Sequence, residues 1–232
     1  MTHAASFRHQ FWGEGLYELA VEVGSTDDAA VQAVLSALWA AAGAQECYGY
    51  GDREPEEQDP VPCTVASLKE FGWLFGRVRL PSGRLVACTV MAVRDDTEGG
   101  EGGEGGEGGD GGGGRGGRDG DGDRDGVGGD GGGGRDDSGS DWVAFGVSPG
   151  TLERAGVAFQ EGPFIRSAEA DDWLAGIGIA AFREAPFSLA VIGWNVSGLT
   201  DAAEVGGTLP EKRGMGYLLP RDGVLHHGAV ND

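Results

Sequence analysis

Residues 51–60 read GDREPEEQDP and carry five carboxylates, Asp52, Glu54, Glu56, Glu57 and Asp59. Carboxylates this close together do acid–base or metal work when an apolar setting drives one pKa away from its neighbour's. Here they stand among prolines with almost no apolar residue beside them, so a solvated loop is expected. Loops carry recognition more often than packing, and an acidic loop suits a basic partner. These five residues are therefore the candidate partner-binding set.

The other chemically capable residues form no linear signature. The four histidines are His3, His9, His226 and His227. A metal site needs three or four convergent ligands, and adjacent histidines on a strand point to opposite faces. An enzyme would have to join Glu54 or Glu57 to His226, or Cys63 to His226, through the fold alone. Cys47, Cys63 and Cys88 contain no CxxC pair and do not have zinc-finger spacing, so they are expected to be reduced, partly buried thiols. No G-x-S-x-G and no phosphate-loop motif occurs. Trp194, Asn195 and Ser197 end the most apolar run of the chain and are candidate pocket residues at a strand mouth, or else a strand cap and turn. Asp121, Asp123 and Asp125 open like a calcium loop, but Gly132 stands where its bidentate glutamate belongs. They are weak calcium candidates, and no cofactor is expected.

The elements that must position these residues come from periodicity. Over 16–23 the residues alternate, with Tyr17, Leu19, Val21 and Val23 on one face and Glu18 and Glu22 on the other, the pattern of a half-buried strand. Ser25 and Asp28 have capping-box spacing ahead of a helix over 29–42, whose apolar face is Val31, Val34, Leu35, Leu38, Trp39 and Ala42. A short strand is expected over 46–50 and a helical turn over 65–71. Residues 73–80 and 85–93 read as a hairpin across Pro81-Ser82-Gly83. After the glycine-rich run come a strand at 142–147 and a helix from 168 to about 184, capped by Ser167. An apolar strand at 187–196 and a last hairpin, 216–219 with 224–227, complete the chain. Hairpins dominate, so the class is α+β: a mostly antiparallel sheet of about eight strands with two main helices.

The run 95–141 interrupts this pattern. Its only aliphatic residue is Val127, so it has nothing to bury and is expected to be a disordered Gly/Asp/Glu-rich loop. A strand precedes it and a strand follows it. Residues 1–94 and 142–232 are expected to make one α+β domain around it, the alternative being two small domains joined by a linker.

Between 95 and 141 there are 15 acidic and 4 basic residues, which leaves 23 acidic against 13 basic elsewhere in a chain of net charge -21. The folded part is acidic in its own right, which argues against nucleic-acid and anionic-membrane partners. No secretory leader or membrane span is visible, so a cytoplasmic protein is expected. The expected function is a non-enzymatic acidic binding protein that engages a basic protein partner. An immunity-type inhibitor of a basic toxin is one concrete form. An enzyme with a carboxylate/His site assembled in three dimensions and a weak calcium or ligand sensor are the alternatives.

Overall fold

Tyr17–Glu22 (β1) is the strand on which the fold is built, and all six of its residues are buried in the computed structural model. The model describes residues 4–8, 12–13, 15–94, 140–160 and 165–232. The run 95–139, its expected disorder and the calcium candidates Asp121, Asp123 and Asp125 lie outside the described residues. The remaining strands are β2 (Trp73–Arg79), β3 (Leu85–Val93), β4 (Trp142–Val147), β5 (Leu189–Trp194), β6 (Gly216–Arg221) and β7 (Val224–Gly228). They form one seven-stranded sheet in the order β2-β3-β4-β1-β5-β6-β7, antiparallel throughout. The helices are α1 (Asp28–Ala41), α2 (Val65–Phe71), α3 (Pro149–Arg154), α4 (Ala168–Glu184) and α5 (Ala202–Val205). The α+β class is thus as expected, with seven strands among the described residues in place of about eight. Residues 46–50 supply only a single bridge, between Tyr48 and Phe75. No helix among the described residues is long and apolar enough to cross a membrane.

One face of the sheet carries the main core. Leu19, Val21, Phe145 and Ile192 meet Leu35 and Leu38 of α1 and Leu174 and Ile177 of α4. Gly178 lets α4 lie close on the sheet, because a Cβ there would meet Leu218 Cδ1 at 2.3 Å. The opposite face carries Ala20, Ala144, Val191, Tyr217 and Leu219, covered by Val196, Val205, Leu209 and Met215 from the segment after β5. This second layer explains the one clear departure along β1. Glu18 and Glu22 alternate outward as a half-buried strand requires, but outward here is another interior, and both are buried. A small third cluster, Phe7, Tyr48 and Ala87 with Phe75 and Trp12, ties the N-terminal segment to the β2 end of the sheet.

β3 and β4 pair directly, Val93 opposite Trp142, so the strands on the two sides of the glycine-rich run are neighbours in one sheet. The ends of the run are fastened as well. Arg94 reaches Asp141 Oδ2 and Asp28 Oδ1, each at 2.6 Å, and donates to the Thr26 carbonyl at 2.8 Å. Asp28 is also held by Lys69 at 2.7 Å, and the capping box expected of Ser25 and Asp28 does not form. The last hairpin turns tightly through Asp222 and Gly223, both at positive φ, which is the backbone of a two-residue turn.

Candidate functional site

The loop that carries the acidic cluster leaves the sheet at Tyr48 and returns beside its own start. Tyr48 exchanges both backbone hydrogen bonds with Phe75, and Val61 N donates to the Cys47 carbonyl at 2.8 Å. Between these points the chain makes one 3-10 turn, Pro55–Glu57, closed by a capping box. The Glu57 carboxylate accepts from Glu54 N at 2.9 Å. Gln58 then acts as an internal strut. It accepts from Tyr50 N at 3.1 Å and donates to the carbonyls of Tyr50 at 2.8 Å and Arg53 at 2.9 Å. Gly49 and Gly51 lie flat on aromatic rings, since a Cβ at either would meet Phe71 or Phe75 below 3 Å.

Three of the five carboxylates hold the loop to the body. Glu54 accepts from the Ser6 hydroxyl, from Phe7 N and Arg8 N at 3.2 Å each, and from Arg77 at 3.4 Å. Glu56 pairs with Arg77 at 3.2 Å and Glu57 with Arg8 at 2.5 Å. Burial acts to raise Glu54, but the Ser6, Arg8 and Phe7 donors and the Arg77 charge outweigh it and hold the carboxyl below its usual value. Glu56 is also held low, by its own backbone N–H and by Arg77. Asp52 and Asp59 are exposed, and their carboxylates have no partner among the described residues. Beside them Tyr50 is 45% exposed, its ring edge-on to Phe71 and covered by the Arg53 guanidinium at 4.4 Å. Such rings and the cation above them are typical contact groups of protein interfaces.

The candidate pocket residues are separated by the fold. Trp194 lines a cleft of about 320 Å³ at the end of β5, with Tyr17, Arg166, Ile192, Leu199 and Met215. Asn195 instead extends the sheet: its N donates to the Leu16 carbonyl and its side chain accepts from Leu16 N, both at 2.8 Å. Ser197 faces the other way and donates from N and Oγ to Glu18, at 2.8 and 2.9 Å. Burial raises Glu18, and the Ser197 and Val196 donors oppose that rise. Glu22 repeats the arrangement four residues further along β1, accepting from Ala202 N at 2.7 Å. These carboxylates anchor the second layer to the sheet. Near the cleft, the Tyr17 hydroxyl donates to Asp171 at 2.6 Å and accepts from Ser167 N at 3.0 Å. Burial raises both groups of that pair.

No described arrangement joins a loop carboxylate to His226. Glu54 is tied through Arg77 to β2, and His226 stands on β7, the opposite edge of the sheet. Six strand spacings of about 4.8 Å keep them some 29 Å apart. Cys63 lies toward the β2 side as well, because Val61 is bonded to Cys47 and the adjacent Tyr48 to Phe75 of β2. Among the described residues no group of His, Cys, Asp or Glu is placed to hold a metal ion. The acidic cluster is visible in the sequence, whereas Tyr50, Gln58, Arg8 and Arg77 are not. Gly49 and Gly51 around Tyr50 are the only local hint that the ring is framed. No protein-family model matches the chain, and no curated protein or solved structure matches it significantly.

Proposed function

We propose that the protein is a non-enzymatic binding protein that engages a basic protein partner through the 50–59 loop, as an immunity-type inhibitor engages a basic toxin. The carrying observation is the preorganised loop itself. Gln58, the Glu54–Glu57 capping box and the Arg8 and Arg77 pairs fix its backbone before any partner arrives. A loop already ordered loses little entropy on binding, which raises affinity without new contacts. It presents one exposed aromatic residue, Tyr50, and two exposed carboxylates, Asp52 and Asp59, unpaired among the described residues. The charge of the chain outside 95–141, 23 acidic against 13 basic residues, favours a basic partner and rapid association. The loop is poorly suited to acid–base catalysis, which needs one carboxyl of a pair raised, because Glu54 and Glu56 are both held low.

The test is native mass spectrometry of the protein purified from its own host at low salt. A stoichiometric basic protein that high salt releases is expected. Tyr50→Ala and the double variant Asp52→Lys/Asp59→Lys should each lose it, while the exposed Glu153→Lys on α3 retains it. Retention by all three variants would place the interface elsewhere and overturn the proposal.

A second reading, a small-ligand pocket, rests on the cleft beside Trp194. Its volume of about 320 Å³ and its apolar walls fit a small organic molecule, with Arg166 and Asp232, bonded to each other, as the charged residues of the lining. Quenching of Trp194 fluorescence by such a ligand, lost in Arg166→Ala, is the result expected of it.

A further inference from the structure

The two ends of the 50–59 loop carry cysteines. Cys47 and Cys63 bracket fifteen residues, 48–62. The fold brings both to the loop's neck: Val61, two residues before Cys63, is bonded to the Cys47 carbonyl, and both cysteine side chains pack on the main core. Their backbones are fixed independently. Val61 N donates to the Cys47 carbonyl at 2.8 Å. Gln32 of α1 holds the returning chain, donating to the Cys63 carbonyl at 3.1 Å and accepting from Val65 N at 2.9 Å. Cys47 is buried and Cys63 half-buried, so a small reagent reaches the pair from the Cys63 side. Interaction with the neighbouring Cys63 lowers the Cys47 thiol, which favours the nucleophilic form there. Cys88 is a different case, wholly buried on β3 and pushed up by that burial.

We propose that Cys47 and Cys63 are a peroxide-oxidisable dithiol whose disulfide closes the neck of the 48–62 loop. One sulfur attacks hydrogen peroxide: an S–O bond forms, the O–O bond breaks, and water leaves a sulfenic acid. The second sulfur then attacks the first. The S–S bond forms, the S–O bond breaks, and the departing oxygen takes the second thiol's proton and leaves as water. Two thiols lose two electrons and one peroxide becomes two waters. The disulfide holds the loop ends together covalently, so its amides should exchange with solvent at least about tenfold more slowly. Its effect on recognition, a loop locked in the presented form, rests on the partner-binding function proposed above. The disulfide itself does not.

The experiment uses the full purified chain, without a partner. It is treated with a slight excess of hydrogen peroxide and analysed by intact mass, non-reducing peptide mapping and hydrogen exchange. The expected result is loss of two hydrogens, reversed by dithiothreitol, with one linked peptide joining Cys47 to Cys63. Cys88→Ser should behave like the parent, and Cys63→Ser should form no internal link. Mass gain by oxygen alone, a linked peptide containing Cys88, or unchanged thiols in the folded protein would each overturn the proposal. The mapping is read on the parent chain, so it holds even if Cys63→Ser fails to fold. Because no partner is needed, failure here leaves the binding function standing, and failure to find a partner leaves the disulfide standing.

Discussion

Replacing Glu18 separates the two things a buried carboxylate does. Glu18 is 3% exposed on the central strand, with Gly146 and Gly193 as its cross-strand neighbours. Its carboxylate accepts from Ser197 N, Ser197 Oγ and the Val196 backbone. In Glu18→Ala the Ser197 hydroxyl can turn away, but the two backbone N–H groups lose their acceptor inside the protein. At about 1–3 kcal/mol for each of the two buried unsatisfied groups, the expected loss is ~2–6 kcal/mol, a large share of an ordinary domain's stability. Glu18→Gln keeps an acceptor of the same shape and removes the charge, so its stability at neutral pH should be close to the parent's or above it. The pH dependence gives the sharper contrast. Burial raises the folded Glu18 carboxyl above its unfolded value, so the native state binds more protons in that window and stability falls as pH rises through it. Glu18→Gln should flatten that fall, leaving the parts that Glu22 and Asp171, raised by the same cause, contribute. Urea unfolding followed by tryptophan fluorescence at a series of pH values measures both effects. A Glu18→Ala variant as stable as the parent, or an unchanged pH slope in Glu18→Gln, would refute the anchoring role.

Three further outcomes are expected. Tyr17→Phe leaves Asp171 and Ser167 N without the hydroxyl between them and should cost about 2–3 kcal/mol, read as a lower urea midpoint. Glu54 has the opposite sign from Glu18: its folded carboxyl is depressed, so its contribution is present above the ordinary value of 4.5 and is lost as pH falls through the lower folded value. The protection factors of the amides at residues 4–8, taken relative to unstructured amides at the same pH, should therefore fall in acid, and Glu54→Gln should show the low protection already at neutral pH. Finally, we propose that residues 1–94 and 142–232 form one domain, so replacing the glycine-rich run with about five residues should leave a single cooperative unfolding transition, stabilised by ~2 kcal/mol of loop-closure entropy. Two separate transitions would speak for two linked domains.

What the sequence disclosed depended on the range of the interaction. The 73–93 hairpin was legible because Pro81-Ser82-Gly83 does its work locally, and so was α4, whose Ser167 accepts from Ala170 N just three residues on. The alternation of β1 correctly divided its side chains between two faces. It gave no warning that Glu18 and Glu22 are buried, because their cover arrives with Ser197 and Ala202, about 180 residues later. The acidic loop shows the same limit. Its carboxylates stand out in the sequence as a solvated cluster, yet Glu54 and Glu57 are matched by Ser6, Phe7 and Arg8, and Glu56 by Arg77. Of the four exposed carboxylates, Glu56 and Glu57 are paired, and Asp52 and Asp59 stay without a partner among the described residues. The meeting of Cys47 and Cys63 has no linear signature, because the neck is made by Val61 and Gln32 rather than by cysteine spacing.

The most direct measurement is hydrogen exchange of the chain alone and in its purified complex, compared amide by amide. Partner binding through the loop is expected to protect 49–60 most strongly, with the β7 edge and the cleft beside Trp194 unchanged. Protection centred on either of those places, with 49–60 exchanging as in the free protein, would contradict it.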